Sequence, residues 1–304
     1  MSEGPSIGLV GCGRWGRLIL RDLVSLGCRV AVAEHTEEGR AAALAAGAVM
    51  AVDDLHALYG RHDGYVVATQ TATHFDVVMA LVGTGQPVFV EKPLTNDPAT
   101  AAAVVRAAGD RVFVMEKWRY HPGVEALAAI ARSGELGAVE RLCARRLQWG
   151  YNHRDVDALW ILLPHDISIL DEVLGGDLEP ISARADWHQG AVVGLAAEFA
   201  RARIEAGVRR TAYDRTLELI CEGGVAKLAD PYDDHISVVR NDGDPGFHEP
   251  AAERRAISTE FPLLRELRAF RDHLAGGPPP KATAAVGLRT VETIAALRRL
   301  AGLP

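Results

Sequence analysis

Two patterns of apolar residues alternate along the first 118 residues. Short continuous apolar runs, of which Ser6–Val10 is the first, are typical of strands that are buried on both faces. Between these runs, apolar residues recur every three or four positions, as in 17–26, and this spacing indicates helices with one buried face. Strands and helices that follow one another in this way predict a parallel sheet with helices on both faces.

The pattern predicts particular elements and then changes after the sixth strand. Predicted strands cover 6–10, 28–34, 48–52, 64–68, 87–91 and 111–115, and predicted helices cover 17–26, 37–46, 54–59, 73–83 and 97–108. After a helix at 122–132, strand-like segments are separated by turns rich in Gly, Pro and Asp. These segments are 138–149, 180–188, 190–204, 206–213 and 215–221, and a last helix is predicted at 283–302.

A glycine-rich turn joins the first predicted strand to the first predicted helix. Gly11, Gly13 and Gly16 form the pattern GxGxxG. An acidic residue, Glu34, ends the next strand about 20 residues later, and this full context is typical of dinucleotide-binding sheets. The first glycine allows the tight turn, the second lets the backbone approach a pyrophosphate, and the third lets the helix pack on the strand. A glycine turn without a ligand is the structural alternative.

Glu34 bears on which dinucleotide binds. Its carboxylate can accept the ribose hydroxyls of the adenosine and would repel a 2′-phosphate, so the sequence favours NAD over NADP. His35 or Arg40 would weaken this preference, because each follows Glu34 closely and can carry a positive charge.

Composition and charge exclude several classes of protein. The chain has 304 residues, of which 48% are hydrophobic and 24% charged, as in globular proteins with a full core. A net charge of −7 argues against nucleic-acid and membrane partners. No secretory signal and no apolar run of membrane-spanning length is recognisable. The four cysteines show no CxxC spacing and are predicted to be free thiols of a cytoplasmic protein.

Four further stretches carry a resemblance to a known family. They are ATQTATHF at 68–75, VFVEKPLT at 88–95, WRYHPGVEAL at 118–127 and the triplet PHD at 164–166. Together with the glycine turn, they resemble the Gfo/Idh/MocA family of oxidoreductases, and the EKP tripeptide is the most specific piece. The resemblance covers nearly the whole chain.

The resemblance implies a fold of two domains. The expected fold class is α/β, with an N-terminal Rossmann domain, a doubly wound parallel sheet, at 1–118. The expected second domain, at 119–304, is α+β, carries a large open and mainly antiparallel sheet, and binds substrate. The last helix is expected to pack back on the body of the protein. Members often form homo-dimers or homo-tetramers through the open sheet.

The resemblance also implies two catalytic residues. Lys92 of the EKP tripeptide is expected to transfer the proton that accompanies hydride transfer, and His165 is expected to assist it. Pro164 suits the start of a helix, so His165 is expected at the beginning of that helix. Many members carry an aspartate one turn before this histidine, whereas Ile161 stands there in this chain. Isoleucine can neither transfer a proton nor orient an imidazole.

Other polar and aromatic residues are candidates for contacts with ligands. Candidates for the cofactor, besides the glycines, Glu34 and Lys92, are Arg14, Trp15, His35, Thr69, Thr71, His74, Glu91 and Trp118. Candidates for the substrate, besides His165, are Arg119, Tyr120, Tyr151, His153, Trp160 and Asp166. His121, His153 and His165 match no metal-binding spacing, so no metal is expected.

The sequence thus predicts an NAD-dependent oxidoreductase that acts on a hydroxyl or keto carbon of a sugar, a polyol or a nucleotide-linked sugar. The expected partner is a small, carbohydrate-like molecule. Two alternatives remain open. The protein binds NAD and a sugar as a sensor without turnover, which the isoleucine at position 161 motivates, or it is a dehydrogenase or reductase of a non-sugar compound.

Overall fold

The computed structural model describes residues 4–151, 155–176, 178–241, 243 and 251–303. Two units are formed. The first comprises the chain up to Lys117 together with Leu263–Glu292, and the second comprises Trp118–Pro262 together with the chain from Thr293 onward. Of the two helices that follow the second sheet in sequence, Pro262–Leu274 lies almost wholly in the first unit, and Ala284–Leu300 is divided at Glu292. The expected second domain, 119–304, includes both helices.

The first unit is built on a parallel six-stranded sheet. Its strands and helices, in chain order, are β1 (Ser6–Val10), α1 (Arg14–Ser25), β2 (Arg29–Ala33), α2 (Glu37–Ala45), β3 (Met50–Val52), β4 (Gly64–Val67), α3 (His74–Val82), β5 (Val88–Glu91), α4 (Pro98–Ala108) and β6 (Val112–Met115). The strand order in the sheet is β3-β2-β1-β4-β5-β6. Strands β4, β5 and β6 are buried along their whole length, which explains their continuous apolar sequences. The expected doubly wound parallel sheet is confirmed, and the predicted helix at 54–59 is a 3₁₀ turn, Leu55–Leu58.

The second unit carries a nine-stranded sheet in which neighbours are mainly antiparallel. The elements are α5 (Pro122–Ser133), β7 (Val139–Trp149), α6 (Ala158–Leu174), β8 (Pro180–His188), β9 (Ala191–Phe199), β10 (Ala202–Gly207), β11 (Arg209–Asp214), β12 (Leu217–Cys221), β13 (Gly224–Leu228), β14 (His235–Arg240) and β15 (Ala252–Ala256). The strand order in the sheet is β15-β14-β13-β12-β7-β10-β9-β8, and β11 pairs with β7. The expected α+β fold of the second part is confirmed.

Helices α5 and α6 cover one face of this sheet. Helix α6 packs on β7, β9 and β10, and α5 packs on β13 and β14. Strand residues that point toward the helices are apolar and buried, as Leu142, Ile204 and Leu195 are. The segment 190–204, predicted as one strand, is the hairpin of β9 and β10, in which Phe199 pairs with Ala202. The tight turn between them carries no Gly or Pro and gave no signal in the sequence.

Two helices complete the chain, α7 (Pro262–Leu274) and α8 (Ala284–Leu300). Phe270 of α7 stacks on Phe89 of β5 with ring centroids 4.9 Å apart, and both rings are fully buried. The Val114 N–H donates to the Ala282 carbonyl oxygen over 2.8 Å. The first unit's core is thus closed by residues far along the chain, and this is why 263–292 belong to it. In the described part of the chain, no helix is long and apolar enough to cross a membrane.

Helix α7 also brings a carboxyl group into the interior of the first unit. Glu266 is 0% exposed, and neither of its carboxyl oxygens has a hydrogen-bond partner among the described residues. Burial raises the pKa of this carboxyl well above its ordinary value, the nearby carboxylates of Glu91 and Glu116 raise it further, and Lys117 opposes them. Glu266 therefore carries its proton in the folded protein at pH values where it is ionised in the unfolded chain.

We expect Glu266→Gln to remove a pH dependence of stability. Above the unfolded pKa, folding must take up a proton at Glu266, so the free energy of unfolding falls as pH rises, by about 1.4 kcal/mol per pH unit, until the folded pKa is passed. In urea denaturation at pH 5, 6 and 7, the free energy of unfolding of the variant should rise relative to that of the wild type as the pH rises toward the folded pKa of Glu266. Glu292→Gln, at an exposed position of α8, is the control and should track the wild type. If the difference in the free energy of unfolding between Glu266→Gln and the wild type did not change with pH, Glu266 would be ionised in the folded state.

Candidate active site

The turn between β1 and α1 has no room for side chains at two of its three glycines. Gly11 has φ +88°, and a Cβ there would lie 2.8 Å from the Ala68 carbonyl oxygen. A Cβ on Gly16 would lie 2.2 Å from the Gly11 carbonyl oxygen. At Gly13 a Cβ would meet no described atom within 4 Å. The backbone is therefore tightly packed on one side of the turn and open to a ligand at Gly13.

Helix α1 starts at this open position. Among the described residues, no side chain caps the helix at Gly13 and no acidic residue lies in its first turn. The N–H groups at a helix start carry a partial positive charge and bind phosphate groups. Arg14 is exposed in the first turn and adds a positive charge. Open backbone, free N–H donors and a cation together fit the pyrophosphate of a dinucleotide.

The carboxylate of Glu34 lies directly after β2. It accepts the Cys12 N–H over 2.9 Å and the Thr36 N–H and hydroxyl over 3.2 and 3.3 Å. Partial burial opposes the ionisation of Glu34, but these hydrogen bonds outweigh it, so its pKa lies below the ordinary value. Glu34 is thus a fixed negative charge beside the glycine turn.

The two residues that could weaken the preference for NAD are placed differently. The Arg40 guanidinium donates to the carbonyl oxygens of Glu34 and His35 over 2.9 and 2.8 Å. This holds its positive charge against the backbone of the same loop. His35 is exposed. The carboxylate of Glu34 keeps its own hydrogen bonds to Cys12 and Thr36, so Arg40 does not neutralise it by a direct contact.

Glu91 ends β5 and is hydrogen-bonded to the first turn of α1 and to the backbone that follows β5. The Trp15 indole N–H donates to one of its carboxylate oxygens, and the Lys92 N–H donates to the other over 3.2 Å. The Lys117 ammonium lies 4.4 Å from the centre of the Trp15 ring. Burial raises the pKa of Glu91, and Lys92, Trp15 and Lys117 oppose that shift. Trp15 and Glu91, both predicted to contact the cofactor, are therefore partners of each other.

Lys92 directly follows the carboxyl end of β5. Its side chain is half-buried, and its peptide bond to Pro93 is cis. Lys92 occupies the place where parallel sheets bind ligands, since the carboxyl ends of their strands form an open edge. The position predicted for the EKP lysine is thus realised in the fold, while its part in proton transfer stays a prediction.

His74 supports the Lys92 turn instead of facing a ligand. The residue is 1% exposed, with Nδ1 2.8 Å from the Pro93 carbonyl oxygen and Nε2 3.2 Å from the Thr69 carbonyl oxygen. The ring lies between these two backbone carbonyl oxygens, and its single N–H in the neutral form can donate to one of them, so the expected contact of His74 with the cofactor is not supported. Thr69 is half-buried and Thr71 is buried on the 3₁₀ turn that precedes α3.

His165 lies in the middle of α6, not at its start. The helix begins at Ala158, where the Asp157 carboxylate caps it by accepting the Leu159 N–H over 3.0 Å. The prediction that Pro164 starts the helix is therefore wrong. A proline inside a helix costs one backbone hydrogen bond, and the buried residues 158–163 keep the segment helical by packing on the sheet. His165 itself is half-buried.

Asp166 is turned into the interior of the second unit. It is 0% exposed, and its Oδ1 accepts a hydrogen bond from Nε of Arg146 over 2.8 Å. Burial raises the pKa of Asp166, and the positive charges of Arg146 and Arg215 oppose that shift. The expected contact of Asp166 with substrate is wrong, because neighbouring residues on a helix point about 100° apart and this one faces the sheet.

The segment that follows β6 packs internally as well. The Arg119 guanidinium pairs with the carboxylates of Asp171 and Glu172, and both Arg119 and Tyr120 are buried. Arg119 is therefore a structural cation within the second unit, and its predicted contact with substrate is not supported. Trp118, predicted to contact the cofactor, is also buried in the second unit and packs against Arg146 and His121.

Three aromatic or imidazole candidates for the substrate lie between the end of β7 and the first turn of α6. Tyr151 is exposed, whereas His153 lies outside the described residues. Trp160 is buried on α6, and the Arg298 guanidinium lies 5.8 Å from its ring centre. The predicted role of Trp160 as a platform for a sugar is therefore wrong. Within the described part of the chain, no group of three His, Cys, Asp or Glu residues is arranged to hold a metal ion.

Sequence reasoning missed Arg146. This residue lies on the same face of β7 as Leu142 and Ala144, which are buried under α6. A charged residue at an inward position of a strand is a recognisable signal, because a buried charge requires a partner. The partner, Asp166, is the second residue of the HD pair on α6.

The fold and this site define a class of proteins before any relative is considered. A parallel sheet with a glycine turn, an acidic residue after β2 and an open N-terminus of α1 is a dinucleotide-binding domain, here joined to an α+β unit. The sequence model of the oxidoreductase family with an NAD-binding Rossmann fold, Gfo/Idh/MocA, matches residues 6–115. Residues 6–115 thus match the family that the motifs predicted, and the expected cofactor NAD is confirmed.

Relatives of known activity and a solved structure resemble the chain. Inositol 2-dehydrogenase of Pseudomonas fluorescens is 28% identical over 249 residues, which cover 74% of each chain. UDP-N-acetylglucosamine 3-dehydrogenase of Acidithiobacillus ferrooxidans is 28% identical over 182 residues, which cover 59% of this chain and 56% of that one. Levoglucosan dehydrogenase in complex with NADH and levoglucosan has the same fold, with a TM-score of 0.84 over 98% of this chain and 97% of that chain at 17% identity.

We expect Glu34→Ala to weaken the binding of NADH and to strengthen that of NADPH. A hydrogen bond to a charged group contributes about 1.5–3 kcal/mol, so the Kd for NADH should rise roughly 10- to 100-fold. Fluorescence titration with both nucleotides measures the change. Glu38→Ala, an exposed acidic residue in the first turn of α2, is the control and should leave both constants near the wild-type values. An unchanged ratio of the two constants in Glu34→Ala would show that Glu34 does not contact the ribose.

Proposed function

We propose that the protein is an NAD-dependent dehydrogenase that oxidises a hydroxyl group of a sugar, a polyol or a nucleotide-linked sugar, or reduces the corresponding ketone. The observation that carries this proposal is the position of Lys92 at the carboxyl end of β5, directly after Glu91, whose carboxylate is joined to α1 through Trp15. The named activities of the inositol and nucleotide-sugar dehydrogenases support the substrate class.

The oxidation of an alcohol to a ketone removes a hydride from carbon and a proton from oxygen. The chemistry that bound NAD supplies is acceptance of the hydride. Lys92 takes the hydroxyl proton during oxidation and returns it during reduction, and His165 assists that transfer. Protons and electrons then balance without a metal ion or a second cofactor.

The backbone around Lys92 is held from both sides, which suits a group that must be placed precisely. On one side, the Glu91 carboxylate accepts the Lys92 N–H over 3.2 Å. On the other side, His74 lies 2.8 Å from the Pro93 carbonyl oxygen. The Lys92 ammonium therefore extends from a turn whose backbone is fixed by two buried side chains.

The remaining candidates divide into two groups. Those that we propose contact NAD are grouped around the glycine turn and the ends of β2 and β4, namely Gly11, Gly13, Arg14, Gly16, Glu34, His35, Thr69 and Thr71. For the substrate we retain Tyr151, which is exposed, and His165, which is half-buried.

A non-catalytic sensor of NAD and a sugar is the second candidate function. Ile161 favours it, because this buried residue of α6 lies one turn before His165 and has no group that can orient an imidazole or carry a proton. A sensor binds both ligands without producing NADH, so turnover separates the two functions.

We expect NADH to form when the enzyme is given NAD and a panel of free sugars, inositols and nucleotide sugars. Lys92→Ala should lower kcat about 10²- to 10⁴-fold, since general acid–base catalysis contributes this much, with NADH binding nearly unchanged. Lys281→Ala, an exposed lysine of the first unit, is the control and should retain wild-type turnover.

Each outcome of this panel decides between the candidates. Turnover on a free sugar or an inositol that is lost in Lys92→Ala supports the proposed dehydrogenase, and turnover on nucleotide sugars alone narrows its substrate. Near-wild-type turnover in Lys92→Ala contradicts the role of the lysine. No turnover on any compound, with tight NADH binding, supports the sensor.

We further propose that the protein forms a homo-dimer or homo-tetramer through the face of the nine-stranded sheet that α5 and α6 leave uncovered. Trp149 and Trp187 lie on this open face and are 68% and 57% exposed, which is unusual for large aromatic residues. Around them, charged residues pair across strands, for example Arg210 with Asp186 over 2.9 Å. Paired charges around exposed aromatic rings suit contact with a second copy of the same surface.

We expect Trp187→Glu to shift the protein toward the monomer, because a carboxylate buried between two copies would be unpaired. Light scattering coupled to size-exclusion chromatography measures the mass. Tyr232→Glu, an exposed aromatic position outside the strands, is the control and should keep the wild-type mass. A wild-type protein that is monomeric at micromolar concentration would refute the proposed assembly.

The four cysteines bear on the cellular compartment. All are free thiols, and Cys12, Cys28 and Cys221 are buried. Free thiols agree with a reducing compartment. The cytoplasm stays our prediction.

A further inference from the structure

Three side chains form a stack in the second unit. The Trp118 ring lies parallel to the His121 imidazole, with centroids 5.0 Å apart and an angle of 17° between the planes. The Arg146 guanidinium carbon lies 4.7 Å from the centre of the Trp118 ring. An arginine, a tryptophan and a histidine are thereby packed into one block, which we name the Trp118 stack.

The two outer members of the Trp118 stack are fixed by other groups. Nε of Arg146 donates to the Asp166 carboxylate over 2.8 Å, and both residues are buried. Nδ1 of His121 accepts the Gly123 N–H over 3.1 Å, and Nε2 lies 2.9 Å from the Pro231 carbonyl oxygen. Because Nδ1 is the acceptor, the proton is on Nε2, and the ring is a neutral imidazole held at both nitrogens. The Trp118 ring therefore has little freedom to move.

This fixed ring meets the imidazole of His165. The centroids of Trp118 and His165 are 6.4 Å apart and the planes meet at 64°, an edge-to-face arrangement. Asp166, which anchors Arg146, is the next residue after His165 on α6. The contacts thus form a closed circuit. It runs from His165 to Asp166 along the helix, then to Arg146, to Trp118 and back to His165.

Two buried polar atoms in this circuit of residues lack hydrogen-bond partners among the described residues. They are Oδ2 of Asp166 and Nε1 of Trp118. A buried group without a partner destabilises the folded protein, and such groups are retained mainly where function requires the arrangement. A core that served stability alone would place apolar residues here.

We propose that Trp118 and Arg146 are positioning residues that hold the His165 imidazole in the orientation needed for proton transfer. This inference rests on the proposed dehydrogenase function and on the role of His165 in it. Ile161, one turn earlier on the same helix, cannot orient the imidazole, whereas the Trp118 ring meets it in an edge-to-face contact. The Asp166–Arg146 pair acts through that ring and touches no reacting atom.

The first experiment reads the position of His165 without a substrate. Protein labelled with ¹⁵N-histidine is examined by NMR, and His165→Ala identifies the signals of His165 among the 11 histidines of the chain. Trp118→Phe keeps a ring at this position, and Trp118→Leu removes it. We expect the His165 signals of Trp118→Phe to stay near those of the wild type, and those of Trp118→Leu to move toward the signals of a mobile histidine. Unchanged signals in Trp118→Leu overturn the proposal.

The second experiment measures coupling in catalysis, using the panel compound with the highest turnover. Contacting residues that act together couple by about 0.5–3 kcal/mol, so we expect Trp118→Leu to lower kcat roughly tenfold with KM changed much less. Trp118→Phe should restore most of kcat. In a His165→Ala background, Trp118→Leu should have almost no further effect on kcat. Equal effects in both backgrounds overturn the positioning role.

A further variant tests Arg146 and guards against misfolding of Trp118→Leu. Arg146→Lys keeps the positive charge beside Asp166 but loses the planar group that stacks on the ring. We expect a smaller loss of kcat in the same direction, which again disappears in the His165→Ala background. Unchanged kcat in Arg146→Lys removes Arg146 from the proposal. Full activity of His165→Ala would instead contradict the proposed role of His165 itself, so the two failures are distinguishable.

Discussion

The close approach of α1 to β1 is the constraint on which the candidate site depends. The Gly11 carbonyl oxygen occupies the space that a Cβ of Gly16 would need, at 2.2 Å. The helix can therefore start immediately after the strand, with its N–H groups at the carboxyl edge of the sheet. Trp15, in the first turn of this helix, then reaches the Glu91 carboxylate at the end of β5. One steric condition at the turn thus links the expected phosphate site to the lysine turn.

Each unit holds an ionisable carboxyl group in its interior, and the two carboxyl groups have different surroundings. In the first unit, Glu266 has no partner among the described residues, and burial raises its pKa until it holds a proton. In the second unit, Asp166 has the guanidinium of Arg146 at 2.8 Å. Replacing one member of such a buried pair leaves an unpaired charge and is strongly destabilising. The buried Asp166 therefore requires a cation at position 146.

The candidate site was only partly predictable from the sequence. The glycine turn, Glu34 and Lys92 were recognisable because each depends on its immediate neighbours along the chain. His74 was assigned to the cofactor, yet its ring nitrogens lie against the backbone of Thr69 and Pro93. Pro164 was taken as the start of a helix, because proline is favoured there, but the packing of residues 158–163 outweighs one lost hydrogen bond.

The sequence by itself determined the parallel sheet of the first unit, the family that this part of the chain matches and the cofactor. The spacing of apolar residues, the turn glycines and the short motifs are all local properties of the chain. Only the tertiary structure decided that α7 closes the first unit's core through Phe270 and Phe89, about 180 residues apart. It alone decided that Asp166 faces Arg146 while its neighbour His165 meets Trp118. Contacts of this kind join strands and helices that are distant in sequence, so no local pattern encodes them.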